Sequence, residues 1–426
     1  MSLIVKVGKM GKKMLKKFMP EEKHHVSYTR RIERVKTGER VVAMTFDDGP
    51  MDLPSSPDKF GGKSLTDLLL DTLKEYDALG TFDVVGDTSE NYPDVAGKPG
   101  QADWGGVRYD HYPDINQDER GGVVHNPRLV RRIIDEGHQV TNHGYRHVLF
   151  GKKPFVYGKR NHFSSLDQVL EDLNRLHNLL KKEYGYEMTM SRPPHYVDKI
   201  EGGFSSYDAY DQMGYLYMAA AFDGAGWLPI HHGSAQESLR AEVEAMVAPM
   251  KKALEEDPNA LAGQIIFQKD GYNMSRRTPV AFGLGKQLEL LKSYGYRVVT
   301  VEKLMEYSPF ADVGAEEPGF EKLAALQKTR GIVYSDNRLR LDSPMTWGEL
   351  AMLLAPRQEA IARRVQRIRE TGAYQHANWG AMDWCAEQGI LKYAMDPDGA
   401  VTSLPSEFFT PTKGFTRRQV YEAFQG

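Results

Sequence analysis

Between residues 33 and 301, short β-branched apolar runs alternate with longer stretches of helical spacing. Seven runs read as strands: Glu33 to Phe46, Thr81 to Val85, His138 to Thr141, Tyr186 to Met190, Leu216 to Phe222, Gln264 to Phe267 and Arg297 to Val301. Helices are predicted between them, at Ser64 to Leu79, Pro127 to Glu136, Leu166 to Lys182, Leu239 to Leu254 and Val280 to Tyr294. Gly80 and Gly137 supply natural helix stops. The alternation predicts an α/β fold with a parallel sheet.

Polar residues cluster where the apolar runs end. Asp47-Asp48, His143, Arg192, Asp223 and Lys269 each follow the last apolar residue of a predicted strand. In a parallel barrel those strand ends converge on one face, where active sites are built, so a (β/α) barrel of about seven strands is preferred over an open sheet. Two acids ending a buried strand require a metal, a cation or a proton to neutralise at least one of them. His143 and His147 are four residues apart. If the chain makes one helical turn there, both imidazoles face one metal together with one of the two aspartates. Such a set suits zinc or another divalent first-row ion and leaves positions open for water and substrate. The resulting hydrolytic site has Asp48, His143 and His147 on the metal and Asp47 as general base. Arg192, on an R-P-P turn, would pair with Asp47 and keep it ionised near neutrality.

Composition narrows the field. The chain has 426 residues, 41% hydrophobic and 27% charged, with a formal net charge of −3. That balance gives no general case for nucleic-acid binding. The single cysteine, Cys385, excludes an intrachain disulfide framework and a thiolate metal cluster. No G-x-G-x-x-G or Walker-type loop follows a predicted strand, which argues against a nucleotide cofactor. No run is long enough to span a membrane, and no apolar core of a secretory signal opens the chain. The first residues instead interleave six lysines with Ile4, Val5, Val7, Met10, Met14, Leu15 and Phe18. They read as a solvated basic tail (residues 1–31), with an amphipathic helix on an anionic membrane surface as the alternative. Residues 87 to 126 lack periodicity but hold Trp104, Tyr109, His111 and Tyr112, as expected of an ordered lid that selects substrate.

Five ordered motifs, namely TFDDGP at 45–50, H-x-x-x-H at 143–147, R-P-P at 192–194, Asp223 with Trp227, and I-I-x-x-x-D-G at 265–271, resemble those of polysaccharide deacetylases, the carbohydrate esterase family 4 or NodB-like domain. The resemblance covers about residues 38–307. It implies a distorted (β/α) barrel that removes acetyl groups, mostly N-acetyl, from acetylated polysaccharides such as peptidoglycan or chitin. It implies Asp47 as base, zinc, or cobalt in its place, on Asp48, His143 and His147, and further catalytic positions at Arg192, Asp223 and Lys269. Pro194, His195 and Trp227 would meet the substrate. The chain departs from the family twice: Lys269 stands where the acid histidine is usual, and Gly226 where an aspartate usually precedes the tryptophan. The proton for the leaving amine would then come from Lys269, or from His195, His231 or His232. Otherwise the protein binds metal and sugar with little or no turnover.

From Ser308 the texture changes. Landmarks Gly331-Ile332-Val333 and Gly389-Ile390-Leu391 suggest a divergent repeat, read as a small all-α region over 308–426. It resembles surface-layer homology units, which implies anchoring to a cell-wall polymer and a cell-surface or extracytoplasmic location, with a structural helical cap and a cytoplasmic location as the alternatives. The T-R-x-[EQ] signature is present at Thr416, Arg417 and Gln419, whereas the first unit has Trp347 in place of the arginine.

Overall fold

The computed structural model describes residues 27–52, 63–87, 121–153, 161–271, 278–331, 334, 336–390 and 411–424. Among the described residues one sheet of nine parallel strands dominates: β1 (Arg31–Ile32), β2 (Val41–Asp47), β3 (Thr81–Val84), β4 (Gln139–Asn142), β5 (Met190–Ser191), β6 (Leu216–Met218), β7 (Phe222–Asp223), β8 (Ile265–Lys269) and β9 (Arg297–Val299). Their spatial order is β1-β6-β5-β4-β3-β2-β8-β7. β8 runs along one edge of β2, while β9 and then β3 share the other. The segment after β1 is tied to the β8 side by single backbone bonds rather than a ladder: Ile265 N donates to Glu33 O at 3.0 Å and Val35 N to Gly263 O at 2.8 Å. The result is a distorted barrel.

Two of the nine strands went beyond the sequence pattern. β1 is only two residues long, too short to register as a period. Leu216 to Phe222, one run in sequence, breaks into β6, second in the sheet order, and β7, at its far end. Residues 186–189, expected to be extended, pair with nothing regular, and β5 begins at Met190.

Helices α1 (Leu65–Glu75), α2 (Pro127–Asp135), α3 (Leu166–Tyr184), α4 (Ser206–Met213), α5 (Ala235–Glu256), α6 (Pro279–Ser293) and α7 (Val301–Tyr307) accompany the sheet. Their ends follow local chemistry. Ser165 caps α3 by accepting from Gln168 N, and Gly185 closes it at φ 66°. Ser234 and Glu237 make a reciprocal capping box on α5.

β2 explains the layering. All seven residues are buried, and alternation sends them to two cores. Val42, Met44 and Phe46 join the large core containing Leu69, Leu284 and Leu288 of the outer helices. Val41 and Ala43 face inward, packing with Ile32, Met190, Met218 and Ile265, over Val301 and Leu304 of α7. This plug fills one end of the barrel, so the inward row of β2 reaches polar surroundings only at Thr45 and Asp47.

The C-terminal region has its own core, with Phe310, Leu323, Met345, Met352, Ala381, Cys385 and Tyr421. It is not all-α. α8 (Phe320–Arg330), β10 (Pro344–Thr346) and α9 (Trp347–Leu354) are followed by α10 (Arg357–Thr371). α11 (Trp379–Glu387), β11 (Pro411–Thr416) and α12 (Arg417–Ala423) then repeat the order helix, strand, helix. β10 and β11 pair antiparallel. Tyr28, near the start of the described chain, is buried in this second core. Arg30 beside it donates to Pro309 O and Asn337 Oδ1. Most of the basic tail and of the expected lid lie outside the described residues.

Candidate active site

Strand register sets the first line of the site. Lys269 pairs with Asp47, Asp47 with Asp83, and Asp83 with Thr141, so four adjacent strands carry these residues in one row. In-register neighbours of a parallel sheet present side chains to the same face. Asp47 is the hub. Its Oδ1 accepts from Arg192 Nη1 at 2.5 Å, and the same nitrogen reaches Thr45 Oγ1 at 3.0 Å. Arg192 is fully buried and fixed further by Met218 O on Nε and Ala219 O on Nη2. The expected pair therefore forms. Burial nonetheless outweighs the pull of Arg192 and His143, and pushes the Asp47 carboxyl up to about 6.

One residue beyond the strand, Asp48 has φ 80°. That left-handed backbone, which aspartate tolerates better than most residues, places Asp48 Oδ1 3.2 Å from His143 Nε2 and 3.4 Å from His147 Nε2. The two rings have centroids 5.1 Å apart. No helical turn joins them, contrary to the sequence expectation. Gly144 at φ 84° and His147 at φ 55° fold the segment into an irregular loop. That loop is tied down by Asp172 of α3, which accepts from Tyr145 N at 2.7 Å and from Arg146 Nε at 2.7 Å. Gly144 allows this approach, because a Cβ there would stand 3.1 Å from Asp172 Oδ2.

His143 is oriented from behind. Its Nδ1 lies 2.9 Å from Arg192 O and 2.8 Å from Asp83 Oδ2, and both are acceptors. Those acceptors hold a proton on Nδ1, so Nε2, turned toward Asp48, is the nitrogen that would meet an ion once it gives up its own proton. Burial disfavours charge on this ring, but Asp83 and Asp48 outweigh it and hold its pKa well above the ordinary histidine value. The ligand atoms of Asp48, His143 and His147 lie within 4.8 Å of one another, all buried. Two imidazole nitrogens and one carboxylate oxygen converging in this way fit a divalent first-row ion.

Lys269 does not point at a separate proton-transfer position. Its Nζ pairs with Asp48 Oδ2, whereas Oδ1 is the oxygen paired with both histidines. Burial opposes the Asp48 charge, yet Lys269 and His147 more than offset it, and the carboxyl stays well below its usual range.

A cleft of about 480 Å³ opens beside this centre, lined among others by Arg31, His195, Tyr196, Asp223, Trp227 and Lys269. Trp227 Nε1 donates to Asp223 Oδ1 at 3.1 Å, while His195 stacks obliquely 5.2 Å from the His147 ring. Pro194 is buried beneath, in the turn Pro194–Tyr196. His231 and His232 are exposed ahead of α5, and His232 lines a different depression. Gly226 has φ 83°, and a Cβ there would lie 3.1 Å from Met246 Sδ and Val280 Cγ2. The backbone at 226 is thus shaped for glycine. Sequence reasoning missed Asp83 and Asp172. The signal for Asp83 was an acid inside the apolar run TFDVV; nothing in sequence pointed to Asp172.

The polysaccharide deacetylase family model matches residues 34–198. A polysaccharide deacetylase domain is supported over that span. The span holds Asp47, Asp48, His143, His147 and Arg192, whereas Asp223, Trp227 and Lys269 lie beyond it. The chain is similar to a peptidoglycan N-acetylglucosamine deacetylase of Bacillus cereus, 25% identical over 273 residues, covering 64% of this chain and 92% of that protein. It is also similar to the peptidoglycan N-acetylglucosamine deacetylase PgdA of Listeria monocytogenes, 23% identical over 64% of this chain but only 40% of the relative's length. Among solved structures, the chitin deacetylase of Colletotrichum lindemuthianum aligns at 19% identity and TM-score 0.42, covering 65% of this chain and 92% of that one.

Proposed function

We propose that this protein is a metal-dependent deacetylase of N-acetylated polysaccharide, with peptidoglycan-type glycans as the leading substrate class. One observation carries the reading: Asp48, His143 and His147 converge beside an Asp47 clamped by a buried arginine. Zinc, or cobalt in its place, would supply there a Lewis acid for the acetyl carbonyl and a water of lowered pKa. Asp47 would accept a proton from the attacking water as the water oxygen bonds to the acetyl carbon. Arg192 holds Asp47 in line and Asp83 holds His143. The C–N bond then breaks, acetate forms, and the sugar nitrogen leaves as an amine after taking up a proton. His195, in the cleft and adjacent to His147, is the donor this geometry favours; Lys269 is engaged with Asp48, His232 lines a different depression, and His231 is not among the residues lining the cleft. Trp227, anchored by Asp223, and Tyr196 offer apolar faces to a pyranose ring.

Acetate release from N-acetyl chito-oligosaccharide or peptidoglycan, with added zinc or cobalt, tests the reading. Asp47→Asn is expected to lower the rate by roughly 10²- to 10⁴-fold, the range of a lost general base. Binding of the oligosaccharide without acetate release would instead establish the second reading, a carbohydrate-binding protein on the same fold. Lys269 on Asp48 and the glycine backbone at 226 are the observations that favour it.

Residues 32–307 are proposed as the catalytic unit and 308–426 as a wall-associating one. Support comes from the repeated helix, strand, helix order, in which Gly331 (φ 61°) and Gly389 (φ 67°) follow the first helix of each unit. Thr346 with Glu349 and Thr416 with Gln419 make the same capping box on the second helix. A wall polymer partner places the protein outside the cytoplasmic membrane. No helix among the described residues is long and apolar enough to cross a membrane.

A further inference from the structure

Asp48 is asked to serve two cations. Its Oδ1 faces both histidine nitrogens, and its Oδ2 is paired with the ammonium of Lys269. The two side chains are only 10% and 14% exposed, so solvent screens the pair weakly. The contact is also built into the fold. β2 and β8 are in register with Lys269 opposite Asp47, and the turn at Asp48 swings its carboxylate back over that neighbour.

We propose that Lys269 competes with the divalent ion for Asp48. It limits the ion to one carboxylate oxygen and fills the need for positive charge when metal is scarce, so the site loads metal only at concentrations above those the bare triad would require. The inference rests on Asp48, His143 and His147 being the metal ligands. Lys269 is then a positioning residue, acting through Asp48 on the ion. Two things follow from removing its charge. The second oxygen becomes free to bind the ion, and the buried Asp48 of the metal-free protein loses its counter-charge.

The test is zinc binding to the full chain, measured by chelator competition and calorimetry. Lys269→Met is expected to tighten zinc binding by roughly 10- to 100-fold, the size of effect that outer-shell partners exert on metal affinity. Lys269→Arg, which keeps the charge, stays near the native affinity. Metal-free Lys269→Met melts below the native protein, and zinc raises its Tm by more. Lys269→Gln serves the same purpose should the methionine variant fail to fold without metal. His143→Ala added to either background removes the binding, which locates the ion at the triad. Equal or weaker zinc affinity in Lys269→Met, with both proteins binding zinc, overturns the competition and leaves the metal site standing. Zinc binding by neither protein overturns the metal site and the competition together.

Discussion

Asp47 is a buried acid whose environment contains both a strong stabiliser and a strong opponent of its charge. Arg192 donates directly to it, while desolvation and the neighbouring Asp83 act the other way. Burial is the larger effect, so the carboxyl rises to about 6. A base must be unprotonated to work, so the sign is fixed: kcat/KM should fall about tenfold per pH unit below that value and level off above it. A pH–rate profile that stays flat down to pH 4 would remove Asp47 as the base. The pairing of Arg192 with Asp47 was legible from an R-P-P turn at a strand end. The balance of the two opposing effects was not, because it depends on how completely the barrel encloses the pair.

At the scale of elements, β2 and the loop after β4 do most of the positioning. The strand contributes alternation, which sends Val41, Ala43, Thr45 and Asp47 inward and their neighbours outward. The loop contributes an irregular path that brings His147 back beside His143 without a helical turn. H-x-x-x-H spacing pointed to shared ligation for a helical reason, and the histidines meet for another. Asp172 of α3 holds the loop through two backbone N–H groups and the Arg146 side chain. Asp172→Ala leaves those buried donors unpaired, which should cost about 2 kcal/mol or more in urea unfolding. It should also weaken zinc binding, because His147 loses its fixed approach; unchanged zinc affinity would show that His147 is positioned by other contacts. Asp172 does not announce itself in sequence and Asp83 shows only as an acid within an apolar run, since their partners lie 26 to 60 residues away.

For the whole molecule, the C-terminal region is held together by contacts between its two repeated parts. Arg417, from the signature at the second capping box, reaches back to Glu349 in the first at 2.8 Å, with both side chains under 10% exposed. Tyr334 also accepts from Arg417. The arginine of that signature therefore has a structural partner, whatever else the surface binds. Arg417→Met should destabilise the region by about 3 kcal/mol, since breaking a buried pair leaves one charge uncompensated. A lower first transition in calorimetry is expected, with zinc binding at the triad unaltered. Coincident loss of both would show that the barrel and the C-terminal core unfold as one. Tyr28 and Arg30, which bind the C-terminal core from a position just ahead of β1, make that a sharp comparison.

The alternation of apolar and polar positions determined by itself the parallel α/β class and the strand ends as the face where Asp47, Asp48, His143, Arg192 and Lys269 gather. These are local properties: a strand, its last apolar residue and the polar residue after it are neighbours in the chain. The partners are not. Which strands stand side by side, how Asp83 comes behind His143, and where the Lys269 ammonium points depend on register between segments up to 221 residues apart. Tertiary structure alone decided that Lys269, placed by sequence where a proton donor is usual, faces Asp48 beside the two histidines instead.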